Sequence, residues 1–209
     1  MSEASTREGV ILGGGYSTRF GDGDKALAEL AGRPLVRRVA DRLARVCDRL
    51  VVNCRDDQRA AFRAAVEGCD VPVALATDPV PDRGPMAGIH TGLSAVESEY
   101  AAVVACDMPF VDPAFVSYLF DRAAGHDAAV PRPDGEWYQP TQAVYRTAAM
   151  VAACERALDR GERKVLAAVD ELASCVTVTE AEVRDRAASA TFENVNTRAE
   201  LRAAERVLE

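Results

Sequence analysis

Residues 10–25 read Val-Ile-Leu-Gly-Gly-Gly-Tyr-Ser-Thr-Arg-Phe-Gly-Asp-Gly-Asp-Lys. Residues 10–12 are a short apolar run of the kind that forms a buried strand, and they lead straight into a glycine-rich loop. The loop carries Arg19 and ends at Lys25. Glycine lets backbone N–H groups approach an anion with no side chain in the way. A lysine adds a mobile point charge. A strand that opens into such a loop predicts a device for holding a polyphosphate. Lys25 is one of two lysines, Lys164 being the other, among 25 basic residues. An ammonium and a guanidinium are not interchangeable at a crowded phosphate. Lys25 is retained either because its site needs the smaller group or by chance in an arginine-biased genome, and the attached loop favours the first.

Working outward, β-type runs alternate with helical ones. Strands are predicted at 9–12, 49–53, 71–76 and 101–105. Pro34 is placed to start a helix with Leu35, Val36, Val39, Ala40 and Leu43 on one face. Further helices are predicted at 57–66 and 86–96, and Asp112-Pro113 reads as a cap and first residue for a helix over 114–123. Later come strands at 128–130 and 142–145 around a Pro/Gly loop (131–135), helices at 147–159 and 163–173, a strand at 175–178 and a helix at 197–208. The alternation predicts an α/β fold, a three-layer Rossmann-like sandwich with a mostly parallel central sheet, forming one domain over residues 1–209. Ligands of open α/β sheets gather beyond the carboxyl ends of the strands. Three polar stretches fall there: the glycine loop, Asp78 to Gly88, and Cys106-Asp107-Met108-Pro109.

Composition narrows the function classes. Apolar residues make 48% and charged residues 28%, ordinary for a globular chain that buries one core. A net charge of −8 argues against a partner gripped through nucleic-acid phosphates. Acidity with arginine in place of lysine suggests a salt-adapted or GC-rich source. No apolar run approaches a membrane span, and the polar first residues carry no apolar signal core, so a cytoplasmic location is expected. The six cysteines match no zinc spacing and read as reduced, mostly buried thiols. No Ser-His-Asp or Cys-His pattern is visible, and His90, alone on its helix, is given no role.

The loop is not a Walker A loop, because Asp24 precedes Lys25 and Ala26 follows it, and it is not the dinucleotide fingerprint, because Thr18 stands where the third glycine belongs. The longer pattern, Leu12-x-Gly14-Gly15-x-Ser17-x-Arg19-Phe20-Gly21-x-x-x-Lys25, is more specific. It resembles the signature of nucleotidyltransferases that activate phosphorylated metabolites, and within them most resembles the molybdenum cofactor guanylyltransferases (MobA family). Asp78 with Gly84-Pro85-Met86-Ala87-Gly88, Asp107-Met108-Pro109, Gln139-Pro140 with Tyr145, and Phe192-Glu193-Asn194-Val195-Asn196-Thr197 resemble further family elements in the same order. Gly13 departs from the usual alanine, and Gly14 points away from the cytidylyl members, which carry alanine there.

The resemblance implies transfer of GMP from Mg-GTP to the phosphate of molybdopterin, with release of pyrophosphate. It implies Leu12, Gly13, Gly14 and Gly15 against the nucleotide, Lys25 and Arg19 on its phosphates, Asp107 on Mg²⁺, and Asn53 and Asp78 as nucleotide contacts. Asn196 is implied as a second metal ligand or a pterin contact. The pterin is expected near 82–90, 132–142 and 194–197; of Trp137 and Tyr138 in that span, two readings stand, stacking on the pterin or, the commoner use of an aromatic pair, packing within the protein. GTP and molybdopterin are the implied partners, with transient contact to molybdoenzymes or other cofactor-biosynthesis proteins. Two alternatives stay open: a guanylyl- or cytidylyltransferase for another phosphorylated acceptor such as adenosylcobinamide phosphate, and a non-catalytic nucleotide-binding protein of the same fold.

Overall fold

In chain order the elements are β1 (Glu8–Leu12), β2 (Glu29–Leu30), β3 (Arg33–Pro34), α1 (Leu35–Leu43), β4 (Arg49–Cys54), α2 (Arg59–Ala65), β5 (Val73–Thr77), α3 (Pro85–Leu93), β6 (Tyr100–Ala105), α4 (Pro113–Ala123), β7 (Ala128–Pro131), β8 (Gln142–Arg146), α5 (Thr147–Asp159), α6 (Val165–Val169), β9 (Cys175–Val178), α7 (Glu180–Arg186) and α8 (Arg198–Leu208). The computed structural model describes residues 6–16, 20, 23–80 and 82–208. Seven strands form one sheet in the order β5-β4-β1-β6-β8-β7-β9. Only β8 runs antiparallel to its neighbours, β6 and β7. It follows β7 through a loop too short for a crossover, so it must turn back on itself.

The period of two along the strands sorts the core onto two faces. Ile11, Leu50, Val52, Ala102 and Val104 face α1, α2 and α4. Val10, Val51, Ala101 and Val103 face α3, α5 and α6. Each of these strand residues is nearly or wholly buried, as expected of parallel strands covered on both sides. A smaller cluster, built on Phe20, Leu30, Leu35, Phe110, Val195 and Ala204, docks α8 onto the β2–β3 hairpin.

Register positions the site. Leu12 pairs with Asn53 on one side and Ala105 on the other, and Asn53 pairs with Ala76. Four parallel strands therefore end level, and the segments after β1, β4, β5 and β6 leave at the same rim.

Several boundaries differ from the sequence reading. The β5 ladder starts at Val73 rather than 71, because Pro72 has no N–H to donate and serves only as an acceptor, taking the N–H of Leu50. Pro34 ends β3 and caps α1 rather than lying inside it. The expected helix at 57–66 begins with a 3₁₀ turn, Asp56–Gln58, before α2. The helix expected at 163–173 is confined to Val165–Val169. The β2–β3 hairpin was not anticipated: its turn uses Ala31 and Gly32 at φ 46° and 71°, and Ala-Gly is a weaker turn signal than Asn-Gly. Helix α7 was not expected either, although Thr179 and Glu182 form a capping box at its start.

Candidate active site

The rim where the four strands end opens into a cavity of about 400 Å³. Leu12, the glycines 13–15, Lys25, Asn53, Asp78, Asp107 and Asn196 all line it, together with Gly84, Pro85, Ala87 and Gly88 at the start of α3. Every described residue expected at the nucleotide, its phosphates or the metal thus lines one cavity. Arg19 lies outside the described residues.

Lys25 opens a single 3₁₀ turn, Lys25–Leu27, whose cap is Asp24: its Oδ1 accepts the N–H of Ala26 at 3.0 Å. Asp24 in turn accepts from Gln58 Nε2 and lies 3.7 Å from the Arg55 guanidinium. This anchors the base of the lysine and aims its tip inward. Lys25 Nζ donates to Asp107 Oδ2 at 2.6 Å and to Asn196 Oδ1 at 3.0 Å. The ion pair is mostly sheltered, with side-chain exposures of 15% for Lys25 and 17% for Asp107.

Asp107 follows the carboxyl end of β6. Its carbonyl accepts the N–H of Val195 at 2.8 Å, which ties the 194–197 segment to the β6 rim. Asn196 is fixed from its other side, since its N–H and that of Thr197 both donate to Glu200 Oε2, at 2.6 and 3.0 Å. The carboxylate of α8's first turn thereby sets the direction of Asn196.

On the opposite wall, Asn53 Nδ2 donates to Asp78 Oδ1 at 2.7 Å. Gly13 and Gly14 serve close approach rather than unusual backbone angles. A Cβ on Gly14 would lie 2.6 Å from Asp78 Oδ2 and 3.1 Å from Asn53 Oδ1. One on Gly13 would lie 2.5 Å from a Phe62 ring carbon. An alanine at either position would therefore require these neighbours to move.

Behind the loop stand two residues that sequence reasoning missed, Arg55 and Gln58, which donate to carbonyls of the glycine loop. Nothing marked Arg55 among so many arginines. Asp24 served only to exclude a Walker loop, though an aspartate directly before Lys25 is a legible turn cap. Thr141 and Asn194 line the cavity as the broad pterin spans allowed, whereas Trp137 and Tyr138 do not. Trp137 is exposed, and Tyr138 is hydrogen-bonded through its hydroxyl to Thr177. Cys106 also lines the cavity, and burial pushes its thiol up, so it stays neutral.

An ammonium, two hard oxygens, a run of glycine backbone and a helix start thus surround one hollow. That arrangement suits a charged phosphate ester and the neutralisation of its leaving group. Comparison with known proteins agrees. Residues 9–174 match the MobA-like NTP transferase domain. The probable molybdenum cofactor guanylyltransferase of Natronomonas pharaonis is 52% identical over 96% of this chain and 98% of its own length. That of Haloferax mediterranei is 40% identical over 97% and 98%. Among solved structures, molybdopterin-guanine dinucleotide biosynthesis protein A from Archaeoglobus fulgidus superposes with a TM-score of 0.77 at 28% identity, over 96% of this chain and 98% of the other. With the motif, the rim and the full-length likeness in agreement, the chain belongs to the molybdenum cofactor guanylyltransferases, a family of MobA-like NTP transferases.

Proposed function

We propose that residues 1–209 work as one nucleotidyltransferase domain in the cytoplasm, joining GMP from Mg-GTP to the phosphate of molybdopterin and releasing pyrophosphate. The observation that carries this reading is the meeting of Lys25, Asp107 and Asn196 in the cavity beside the glycine loop. The acceptor phosphate attacks the α-phosphorus of GTP, the bond to the pyrophosphate breaks, and no covalent enzyme intermediate is needed. Two anions must come together, so the chain's task is alignment and charge neutralisation. The backbone of residues 12–15 holds the nucleotide, Lys25 neutralises its phosphates and the departing pyrophosphate, and Asn53 with Asp78 holds the nucleoside. Arg19 is assigned to the phosphates from the motif.

Asp107 and Asn196 are the residues that would hold Mg²⁺. Their oxygens converge on a single positive atom, Lys25 Nζ, and oxygen donors are what Mg²⁺ takes. Among the described residues no three His, Cys, Asp or Glu side chains gather, a sparse set suited to a metal that shares its shell with water and substrate phosphates. When bound, the ion neutralises charge on phosphate oxygens.

Purified protein incubated with molybdopterin, Mg²⁺ and each nucleoside triphosphate, with products read by mass, tests the reading. The expected result is a guanine dinucleotide from GTP alone. No product with any triphosphate would refute it. A product with a different acceptor phosphate, but none with molybdopterin, would reassign the substrate.

A further inference from the structure

Three consecutive carbonyls of the glycine loop are held from behind. Gln58 Nε2 donates to the carbonyl of Gly13 at 3.1 Å. Arg55 Nη1 donates to those of Gly14 and Gly15 at 3.1 and 2.9 Å. Both donors sit between β4 and α2, both are buried, and neither lines the cavity that the three glycines line. In a trans peptide the carbonyl of one residue and the N–H of the next point in opposite directions. Holding these three carbonyls from behind turns the N–H groups of Gly14, Gly15 and Tyr16 to the opposite side, and Gly14 and Gly15 line the cavity. Among the described residues, none of these three N–H groups donates to a protein acceptor. Successive free N–H groups of this kind make a concave anion site.

Arg55 is itself immobilised. Its Nε and Nη2 donate to the two carboxylate oxygens of Asp57 at 3.1 and 3.2 Å, its N–H donates to Gln58 Oε1 at 2.8 Å, and the Tyr16 ring covers its guanidinium at 4.4 Å. With Asp57 and Asp24 beside it, its charge is already neutralised. Gln58 also donates to Asp24, the cap of the turn that starts at Lys25. One network thus orients the loop peptides and seats the lysine.

We infer that Arg55 and Gln58 are positioning residues for the triphosphate: they aim the peptide N–H groups of the glycine loop at it and, through Asp24, keep those groups in register with Lys25. The inference rests on the reading of the glycine loop as the nucleotide's phosphate cradle. A lysine at position 55 would retain the charge for Asp24 and Asp57, but one ammonium cannot reproduce the guanidinium's fork on the two carbonyls and Asp57.

The test measures pyrophosphate release by the native chain, Arg55→Ala, Arg55→Lys and Gln58→Met, varying GTP and molybdopterin separately and recording melting curves. Expected is a rise in KM for GTP of about tenfold or more in all three variants, an unchanged KM for molybdopterin, and partial recovery of Arg55→Ala on adding guanidinium at a concentration below denaturation. Unchanged KM for GTP in Arg55→Lys and Gln58→Met, or a fall in kcat alone, would overturn the inference; these two variants decide if Arg55→Ala does not fold. If the native chain releases no pyrophosphate, the proposed reaction has failed, and GTP titration calorimetry on the same proteins decides the loop question. Weakened GTP binding in the variants then supports the inference, and equal binding overturns it.

Discussion

Lys25 donates to two oxygens at once, and its side chain is mostly shielded from solvent. Replacing it with alanine removes the only cation within hydrogen-bond reach of Asp107 among the described residues. For a pair between buried and exposed, Lys25→Ala should cost about 1–3 kcal/mol of stability, readable as a lowered urea midpoint, while pyrophosphate release disappears. Turnover close to the native rate would remove the lysine from the mechanism. Gly14 makes a separate, steric test. A methyl there must displace the Asp78 carboxylate, which lies 2.6 Å from the place the added carbon would take. Gly14→Ala should therefore weaken GTP binding by about tenfold in calorimetric titration with little change in melting temperature. An unchanged affinity would show that Asp78 moves aside freely. Both residues were legible in the sequence, because the loop motif names them. The asparagine–aspartate pair across from Gly14 was legible only as two separate residues, since their contact joins the ends of neighbouring strands.

Helix ends decide much at the next scale. At the start of α7, Glu182 takes the N–H of Thr179 at 2.9 Å and its hydroxyl at 2.8 Å, and also accepts from Tyr118 and Arg122. These donors, the Thr179 backbone first, hold the Glu182 carboxyl down at about 2, below its ordinary 4.5. A depressed acid stabilises the fold above its unfolded pKa. That contribution should be complete above about pH 4.5 and drain away as pH falls towards 2. In urea titrations, Glu182→Gln should lose stability relative to the native chain at neutral pH, and the gap should narrow across that acid window. A constant gap would deny the linkage. Thr179→Ala should cost about 1 kcal/mol in the same titrations. At α8 the cap reaches the site: Glu200 holds the N–H groups of Asn196 and Thr197. Glu200→Ala should slow pyrophosphate release by about tenfold without unfolding the chain, and a native rate would show that Asn196 is held by other contacts. Helix existence was readable from apolar period and from caps such as Asp112, which accepts the N–H of Ala114 as its sequence announced. The capping box of α7 is an equally local signal, carried by two residues three apart. The β2–β3 hairpin has no such signal, because it is stabilised by packing against α8 through Leu30 and Ala204 rather than by a strong turn sequence.

The whole molecule brings four strand ends level, and substrate binding should feed back on the stability of the entire sheet. GTP with Mg²⁺ should raise the melting temperature more than CTP or ATP at equal concentration, through preferential binding to the native state. Equal shifts for all three would undercut the guanine assignment. The linear chain alone determined the α/β class, the place of the glycine loop and the residue types that line the rim beside it, because apolar period and loop motifs are local properties. Tertiary structure alone decided that Lys25 meets Asp107 and Asn196 across separations of 82 and 171 residues, and that Arg55 and Gln58 brace the loop from behind. Those contacts depend on the in-register pairing of β1 with β4 and β6 and on the docking of α8. No local pattern encodes them, since sheet register and helix docking are settled by the burial of the two cores together.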